Sequence, residues 1–321
     1  MSFADRDGVI WFDGELVPWR DARVHVLTHT LHYGMGVFEG VRAYETDRGA
    51  SIFRLQDHTR RLFRSAKIMN IPMPYDADEL NEAQRLVVRE NNLQHAYLRP
   101  MVFYGSEGMG LRAEGLKTHV IVASWEWPSY MSPEALERGI KVNTSSYTRH
   151  HVNISMCKAK ANGNYINSML ALQEAIRNGC EEALLLDPEG YVAEGSGENF
   201  FIVRDGTIYT PELTSCLDGI TRDTVIELAR ECGYRVAEKR ITRDEVYIAD
   251  EAFFTGTAAE VLPISMLDGR SIGSGRRGPI TGRLQGLYFD VVHGRSIAHR
   301  GWLSDVDDTG LQHDGSHIAV A

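Results

Sequence analysis

Cysteine is scarce and scattered: Cys157, Cys180, Cys216 and Cys232 include no Cys-x-x-Cys pair. That spacing gives no support to a zinc or dithiol motif, and a disulfide framework is not expected in a chain this long, so ordinary reduced thiols are the expectation. Positive charge is also short. Thirty-four Lys and Arg stand against 44 Asp and Glu, and a net charge of −10 repels the phosphate backbone, so nucleic acid is not an expected partner. No apolar run approaches the roughly 18 residues a bilayer span needs, and no membrane partner is expected. Met1 to Asp7 carries three charges and no apolar stretch, so a secretory leader is not expected and a cytoplasmic location is the default. Internal repeats and low-complexity tracts are absent. Lysine is the sharpest shortage: Lys67, Lys117, Lys141, Lys158, Lys160 and Lys239 are the only six. Chemistry that needs a lysine amine has few candidates.

What is present is an ordinary globular composition, 43% hydrophobic and 24% charged over 321 residues, with room for about two domains. Strand-like and helix-like segments alternate, which predicts an α/β or α+β fold. Val9 to Val17 reads as a hairpin around Asp13-Gly14. Asp57 is the expected N-cap of a helix reaching Asn70, a second helix fits Asp78–Asn92, and strands fit Ala96–Tyr104 and His119–Trp125. Two prolines in Trp127–Pro133 mark a connector over 126–139, between an N-terminal domain (1–125) and a C-terminal one (140–302). In the second half, strands fit Ile140–Ser145, Ala183–Asp187, Asn199–Val203 and Glu251–Thr255. Helices fit Tyr165–Asn178 and Thr221–Cys232. The polar tail after Trp302 (303–321) is expected to be loose.

Several strings could carry chemistry. His25, His29 and His32, with Glu39 beyond, would share one helical face and could bind a metal, but the β-branched, Gly-interrupted segment argues for packing histidines, and no metal is expected. Gly273 to Gly278 matches G-x-G-x-x-G, yet no strand precedes it and no acid follows at the required distance, so a loop before the last helix is expected. Glu194 to Asn199 is either a ligand-facing turn or a hairpin with two solvated acids. Gly219 to Asp223 opens a helix whose free amides suit a phosphate, as any capped helix start would. Thr255 to Glu260 is a second small-residue turn after a buried strand. Lys158 and Lys160 lie in a small-residue loop before a helix, where a desolvated amine could form a Schiff base, or where both could simply be exposed.

Together these strings fit one ligand, an aldehyde bearing a phosphate and a ring nitrogen. In them the chain resembles the branched-chain amino acid aminotransferases, fold-type IV pyridoxal-phosphate enzymes of the class IV aminotransferase family. The resemblance covers about Ile10 to Trp302. It rests on Leu31-His32-Tyr33-Gly34, Phe38 to Arg42, Tyr97 to Pro100, Gly108 to Leu111, Lys160 with Asn164-Tyr165, Glu194 to Asn199, Gly219 to Asp223, and Gly256 to Glu260. It implies a smaller N-terminal α/β domain and a larger cofactor-binding domain with a mixed, barrel-like core.

The resemblance also implies roles. Lys160 would be the Schiff-base lysine that moves a proton between substrate and cofactor, with Lys158 two residues off register. Glu194 would pair with the pyridine nitrogen and Tyr165 with the ring hydroxyl. Arg61, Ile220, Thr221 and Thr257 would hold the phosphate. Tyr97, with the amides around Thr257, Ala258 and Ala259, would hold the substrate α-carboxylate. Tyr33, Phe38, Trp127 and Tyr130 would wall an apolar pocket, and Arg42 and Arg99 would meet the distal carboxylate of glutamate. Met109 and Leu111 would reach a neighbouring subunit's site, implying a homodimer or a trimer of dimers.

The implied reaction is reversible transamination between leucine, isoleucine or valine and 2-oxoglutarate. Alternatives are a D-amino acid or (R)-amine transaminase, or an aminodeoxychorismate lyase, on the same fold; a nicotinamide oxidoreductase using Gly273 to Gly278; and a non-catalytic relative, which the intact Lys160 and Glu194 oppose. Two departures are noted. Asp218 stands where relatives often have proline, and Asn162 where they often have glycine.

Overall fold

The computed structural model describes residues 2–127 and 133–307. Asp13 and Gly14 both take positive φ (50° and 99°), the backbone of a two-residue hairpin turn, and so join β1 (Val9–Phe12) to β2 (Glu15–Pro18). The chain continues through α1 (His29–Tyr33), β3 (Gly36–Phe38), β4 (Val41–Thr46), β5 (Gly49–Phe53), α2 (Leu55–Ile68), α3 (Ala77–Glu90), β6 (Ala96–Tyr104) and β7 (Thr118–Glu126). Next come α4 (Pro133–Arg138), β8 (Ile140–Thr144), α5 (Tyr165–Arg177), β9 (Glu182–Leu186), β10 (Val192–Gly195), β11 (Asn199–Arg204) and β12 (Thr207–Thr210). The rest is α6 (Ile220–Glu231), β13 (Arg235–Glu238), α7 (Arg243–Tyr247), β14 (Glu251–Gly256), β15 (Glu260–Leu267), β16 (Arg270–Ser271), α8 (Pro279–Val292) and β17 (Leu303–Asp305).

Two sheets result. The first has eight strands in the order β17-β5-β4-β6-β7-β1-β2, with β3 beside β6, and all its pairings are antiparallel. The second has nine, ordered β10-β9-β8-β15-β14-β11-β12-β13 with β16 beside β15, and is mixed: β8 runs parallel to β9 and β15, and β12 to β13. Helices plus a mixed sheet match the expected fold class.

Buried side chains explain the layering. Leu55, Leu62, Leu80 and Val87 of α2 and α3 cover Val41, Leu98 and Val122 of the first sheet. Val225 and Leu284 of α6 and α8 cover Phe201 and Phe253, whose rings stack at 4.8 Å. Each such residue contributes about 1.5–3 kcal/mol by burial. Tyr44 and Phe53 of the first sheet belong to that second cluster, so one buried cluster joins the two sheets.

Two expectations are revised. Helix α2 starts at Leu55, not after Asp57: Arg54 takes a left-handed backbone (φ 53°), gives its amide to the Trp302 carbonyl, and ion-pairs with Asp57 from outside the helix. The tail is not loose immediately after Trp302. Leu303 and Val306 are buried, β17 pairs with β5, and Asp305 accepts the Ser51 hydroxyl at 2.6 Å. Its polar residues hide this because their partners lie far upstream, 254 positions in the case of Ser51. The histidine string, by contrast, follows expectation: α1 holds only His29 and His32 of the three, and their Nε2 atoms meet the carbonyls of Gly110 (2.8 Å) and Val26 (2.9 Å).

Candidate active site

A cavity of about 480 Å³ lies where the two sheets meet. Lys160 stands in its wall. Its loop is tied on both sides: the Lys160 amide donates to Ser65 Oγ of α2 at 3.0 Å, and its carbonyl accepts the Phe38 amide at 3.0 Å. The Lys160 Nζ meets the Tyr165 hydroxyl, on the first turn of α5, at 2.8 Å. Burial presses this amine toward neutrality, but the Tyr165 phenol, Glu39 and Tyr97 outweigh it, and its pKa rises above the ordinary value. Lys158 is used differently. Its Nζ binds the carbonyls of Leu213 and Cys216 and the Asp218 carboxylate (2.7 Å), closing the loop before α6, and it does not line the cavity.

One end of the cavity suits an anion. Ile220 and Thr221 open α6, whose N-cap Gly219 offers no side chain to their amides. Gly219 is required, since a Cβ there would lie 1.8 Å from Asn199 Oδ1. Beside it lies Arg61. Glu39, wholly buried, grips Arg61 through Nε (2.6 Å) and Nη2 (2.9 Å), while Nη1 donates to the Asp218 carbonyl at 2.8 Å. Two of the five guanidinium N–H groups remain for a ligand. Burial opposes a charge on Glu39, but Arg61 and His58 hold its pKa far below the usual carboxylate range. Thr257 and Ala258 complete this end.

A second wall presents a carboxylate. Glu194 closes β10 and accepts the Leu217 amide at 3.2 Å. Arg149 Nε lies 3.1 Å from its Oε1, an ion-pair contact rather than an aligned hydrogen bond. Arg149 is itself fixed by Asn167, Ser168 and the Gly195 carbonyl. Burial raises the pKa of Glu194, and Arg149 opposes the rise.

Tyr97, Arg99 and Phe38 form a third wall. Gly40 lets the Tyr97 hydroxyl approach, because a Cβ would fall 1.9 Å from it. The Arg99 guanidinium lies 4.7 Å above the Phe38 ring and 3.4 Å from the Tyr97 hydroxyl. Thr255 Oγ1, Asn162 Oδ1 and Arg99 Nε are buried without hydrogen-bond partners, and all three belong to cavity residues.

Eleven expected residues thus meet at one cavity: Phe38, Arg61, Tyr97, Arg99, Lys160, Tyr165, Glu194, Ile220, Thr221, Thr257 and Ala258. Arg42 does not. It is 1% exposed, paired to Glu260 at 2.8 Å and donating to the Trp127 carbonyl, so a buried acid from β15 has claimed the cation expected to meet a substrate carboxylate. Ala259 is buried outside the cavity lining, and Trp127 packs on Tyr97 behind it. Tyr33, Met109 and Leu111 are exposed away from it. Tyr130 lies outside the described residues. The sequence did not reveal Glu39 as the partner of Arg61, nor Arg149, Met101, Ser168 and Met169 as part of the site. Arg149 carried a faint signal, a cation in a polar loop between a strand and the lysine segment.

The Gly273 to Gly278 loop is no nucleotide cradle. Glu251 already occupies the start of α8, taking the Ile280 and Thr281 amides at 2.9 and 2.7 Å.

An anion receptor, a buried carboxylate and a buried amine on the walls of one cavity define a pyridoxal-phosphate transaminase site. The family model "Amino-transferase class IV" matches residues 36–267, and the chain belongs to that family. It is 72% identical to the branched-chain-amino-acid aminotransferase of Pseudomonas aeruginosa, across 94% of this chain and 98% of that protein. With the Escherichia coli K12 enzyme of the same name identity is 47%, across 93% and 97%. A solved branched-chain amino acid aminotransferase from T.th., with pyridoxamine 5'-phosphate, superposes with a TM-score of 0.92 at 49% identity, covering 94% of this chain and 99% of that one.

Proposed function

We propose that this protein transfers the amino group of L-leucine, L-isoleucine and L-valine to 2-oxoglutarate, reversibly, with pyridoxal phosphate held in the cavity. The observation that carries this is the Lys160 amine, beside Tyr165, lining one cavity with Glu194 and the open start of α6. The cofactor, when bound, supplies an electron sink for the pair left on the substrate Cα. The chain supplies the rest. Arg61, the Ile220 and Thr221 amides and Thr257 hold the phosphate. Glu194, kept charged by Arg149, holds a proton on the ring nitrogen. Lys160 would take up and return the proton exchanged at the substrate Cα.

Tyr97 and the Ala258 amide orient the α-carboxylate. Phe38, Met101 and Met169 offer apolar surface to an aliphatic side chain, and Arg99 offers a guanidinium to the glutamate carboxylate. A methyl group is worth only about 1–3 kcal/mol in such a pocket, so all three aliphatic substrates are accepted. Arg42 is not part of this pocket; it braces the wall behind Tyr97.

The assembly is a dimer or a trimer of dimers. Leu111 (88% exposed), Ile154 (78%), Val26 (74%), Ile166 and Met169 leave large apolar side chains uncovered, and a second copy of this chain would cover them. Among the described residues no helix is long and apolar enough to cross a membrane, and a cytoplasmic location suits soluble substrates.

The visible spectrum of the purified protein tests the chemistry. A yellow protein that bleaches on L-leucine without a keto acid supports the proposal, and a yellow protein indifferent to L-leucine moves the substrate to D-amino acids or (R)-amines. Lys160→Ala lowers turnover at least about 10⁴-fold, whereas Lys158→Ala leaves it within about tenfold.

A further inference from the structure

Neither Arg42 nor Glu260 lines the cavity, yet together they close a turn that does. Strands β14 and β15 pair as far as Gly256 and Glu260, so Thr257, Ala258 and Ala259 make the turn between them. Glu260 ends it with a left-handed backbone (φ 59°), a conformation glycine adopts freely and other residues keep only where their surroundings hold them. Here the carboxylate does the holding. Its Oε1 accepts Arg42 Nη1 at 2.8 Å and the Tyr44 hydroxyl at 3.0 Å, both from β4 of the first sheet. Arg42 and Glu260 are both buried, and the guanidinium lies 4.5 Å above the Tyr44 ring.

The second terminal nitrogen of Arg42, Nη2, donates to the Trp127 carbonyl at 3.1 Å, and the Trp127 ring packs 5.4 Å from that of Tyr97. Arg42 also sits opposite Tyr97 in the register of β4 and β6. One planar guanidinium therefore ties the turn that carries Thr257 and Ala258 to the wall that carries Tyr97. Those are the two halves of the receptor that the proposed function gives to the substrate α-carboxylate.

We propose that Arg42 and Glu260 are a positioning pair: without touching substrate, they set the gap between the Tyr97 hydroxyl and the Thr257–Ala258 turn, and with it the fit of the α-carboxylate. Every substrate carries that group, and it is not altered in the reaction. The pair therefore acts alike on ground state and transition state, and shows in KM rather than kcat. It acts equally on leucine and glutamate, whereas a cation that met the distal carboxylate would act on glutamate alone.

Arg42→Lys tests the pair in the cofactor-loaded enzyme. The ammonium keeps a charge beside Glu260 but has no fork to bridge Glu260 and Trp127. KM for L-leucine and L-glutamate should rise together, about tenfold, while kcat stays within about threefold. The Kd of 4-methylpentanoate, a carboxylate with no amino group to transfer, should rise by the same factor. Glu260→Gln should stay near wild type, because its amide oxygen accepts the same two bonds. Glu260→Gly should show the Arg42→Lys defect in spite of its easier left-handed backbone. Where Glu260→Gly does not fold because Arg42 is left unpaired, Glu260→Gly combined with Arg42→Met strands no charge and should show the same defect.

Unchanged KM and Kd, with only Tm or the active fraction lowered, would make the pair a structural joint and overturn the proposal. A KM rise confined to glutamate would also overturn it, returning Arg42 to the distal carboxylate. The inference rests on the transaminase reading, but the two fail separately. That reading fails on wild-type protein that does not turn over L-leucine; this one fails on the variants, and the 4-methylpentanoate measurement needs no turnover.

Discussion

Two helices of this molecule begin on nearly the same residues, Gly219-Ile220-Thr221 for α6 and Gly278-Pro279-Ile280-Thr281 for α8. Both N-cap glycines leave the first amides without a local side-chain partner. At α8 the Glu251 carboxylate fills that gap, taking two amides and the Thr281 hydroxyl, the last at 2.6 Å. At α6 no acid among the described residues does so; the first turn opens on the cavity beside Arg61. One local sequence thus makes a sealed structural joint and an anion receptor. A helix start binds a ligand only where the fold has left its amides unclaimed.

The largest expected effect breaks the open end. Arg61→Ala leaves Glu39, a carboxylate 0% exposed, with the His58 ring in place of a full charge partner, and removing one partner of a buried pair costs about 3–5 kcal/mol. Chemical denaturation of the cofactor-free chain reads that loss, and a fluorescence titration reads a fall in cofactor affinity of about 100-fold or more for a lost charged contact. Next comes the sealed end. Glu251→Ala leaves two amides and a hydroxyl unpaired in the interior, for a loss of about 2–4 kcal/mol, with cofactor affinity unchanged. If Glu251→Ala weakened cofactor binding as Arg61→Ala does, the two starts would not be functionally distinct.

Arginines show where the sequence stops being legible. Lys160, Glu194 and the α6 start are readable because each sits in a short motif whose neighbours are local in the chain. The hairpin at Asp13-Gly14 is readable for the same reason, since its turn needs positive φ. Arg42 is expected at a substrate carboxylate, and it is held instead by Glu260, 218 positions away. Arg149 carries no expectation, and it braces Glu194 from 45 positions upstream. A cation's duty depends on which buried acid reaches it first in space, and that distance is not written in local sequence. Asp218, set where relatives often have proline, shows the same thing on a smaller scale: its carboxylate takes Lys158, while its carbonyl steadies Arg61.

The smallest effects come from the two threonines at matched positions, and they divide the comparison most finely. Thr281 is 0% exposed and its hydroxyl donates to a carboxylate, so the near-isosteric Thr281→Val leaves Glu251 short of a charge-assisted bond, costing about 1.5–3 kcal/mol of stability. Its cofactor affinity should match wild type. Thr221 lies 3% exposed at the cavity, with its hydroxyl close to the Tyr288 phenol rather than to a carboxylate. Thr221→Val keeps the amide assigned to the phosphate but removes a hydroxyl beside it that could turn to a phosphate oxygen, so it should cost about 1 kcal/mol or less in stability and weaken the cofactor about five- to tenfold, about one hydrogen bond. Melting curves with and without pyridoxal phosphate read both quantities on both variants. Crossed outcomes, a destabilised Thr221→Val with normal affinity and a stable Thr281→Val with weakened affinity, would mean that the carboxylate at α8 is not what separates the two helix starts.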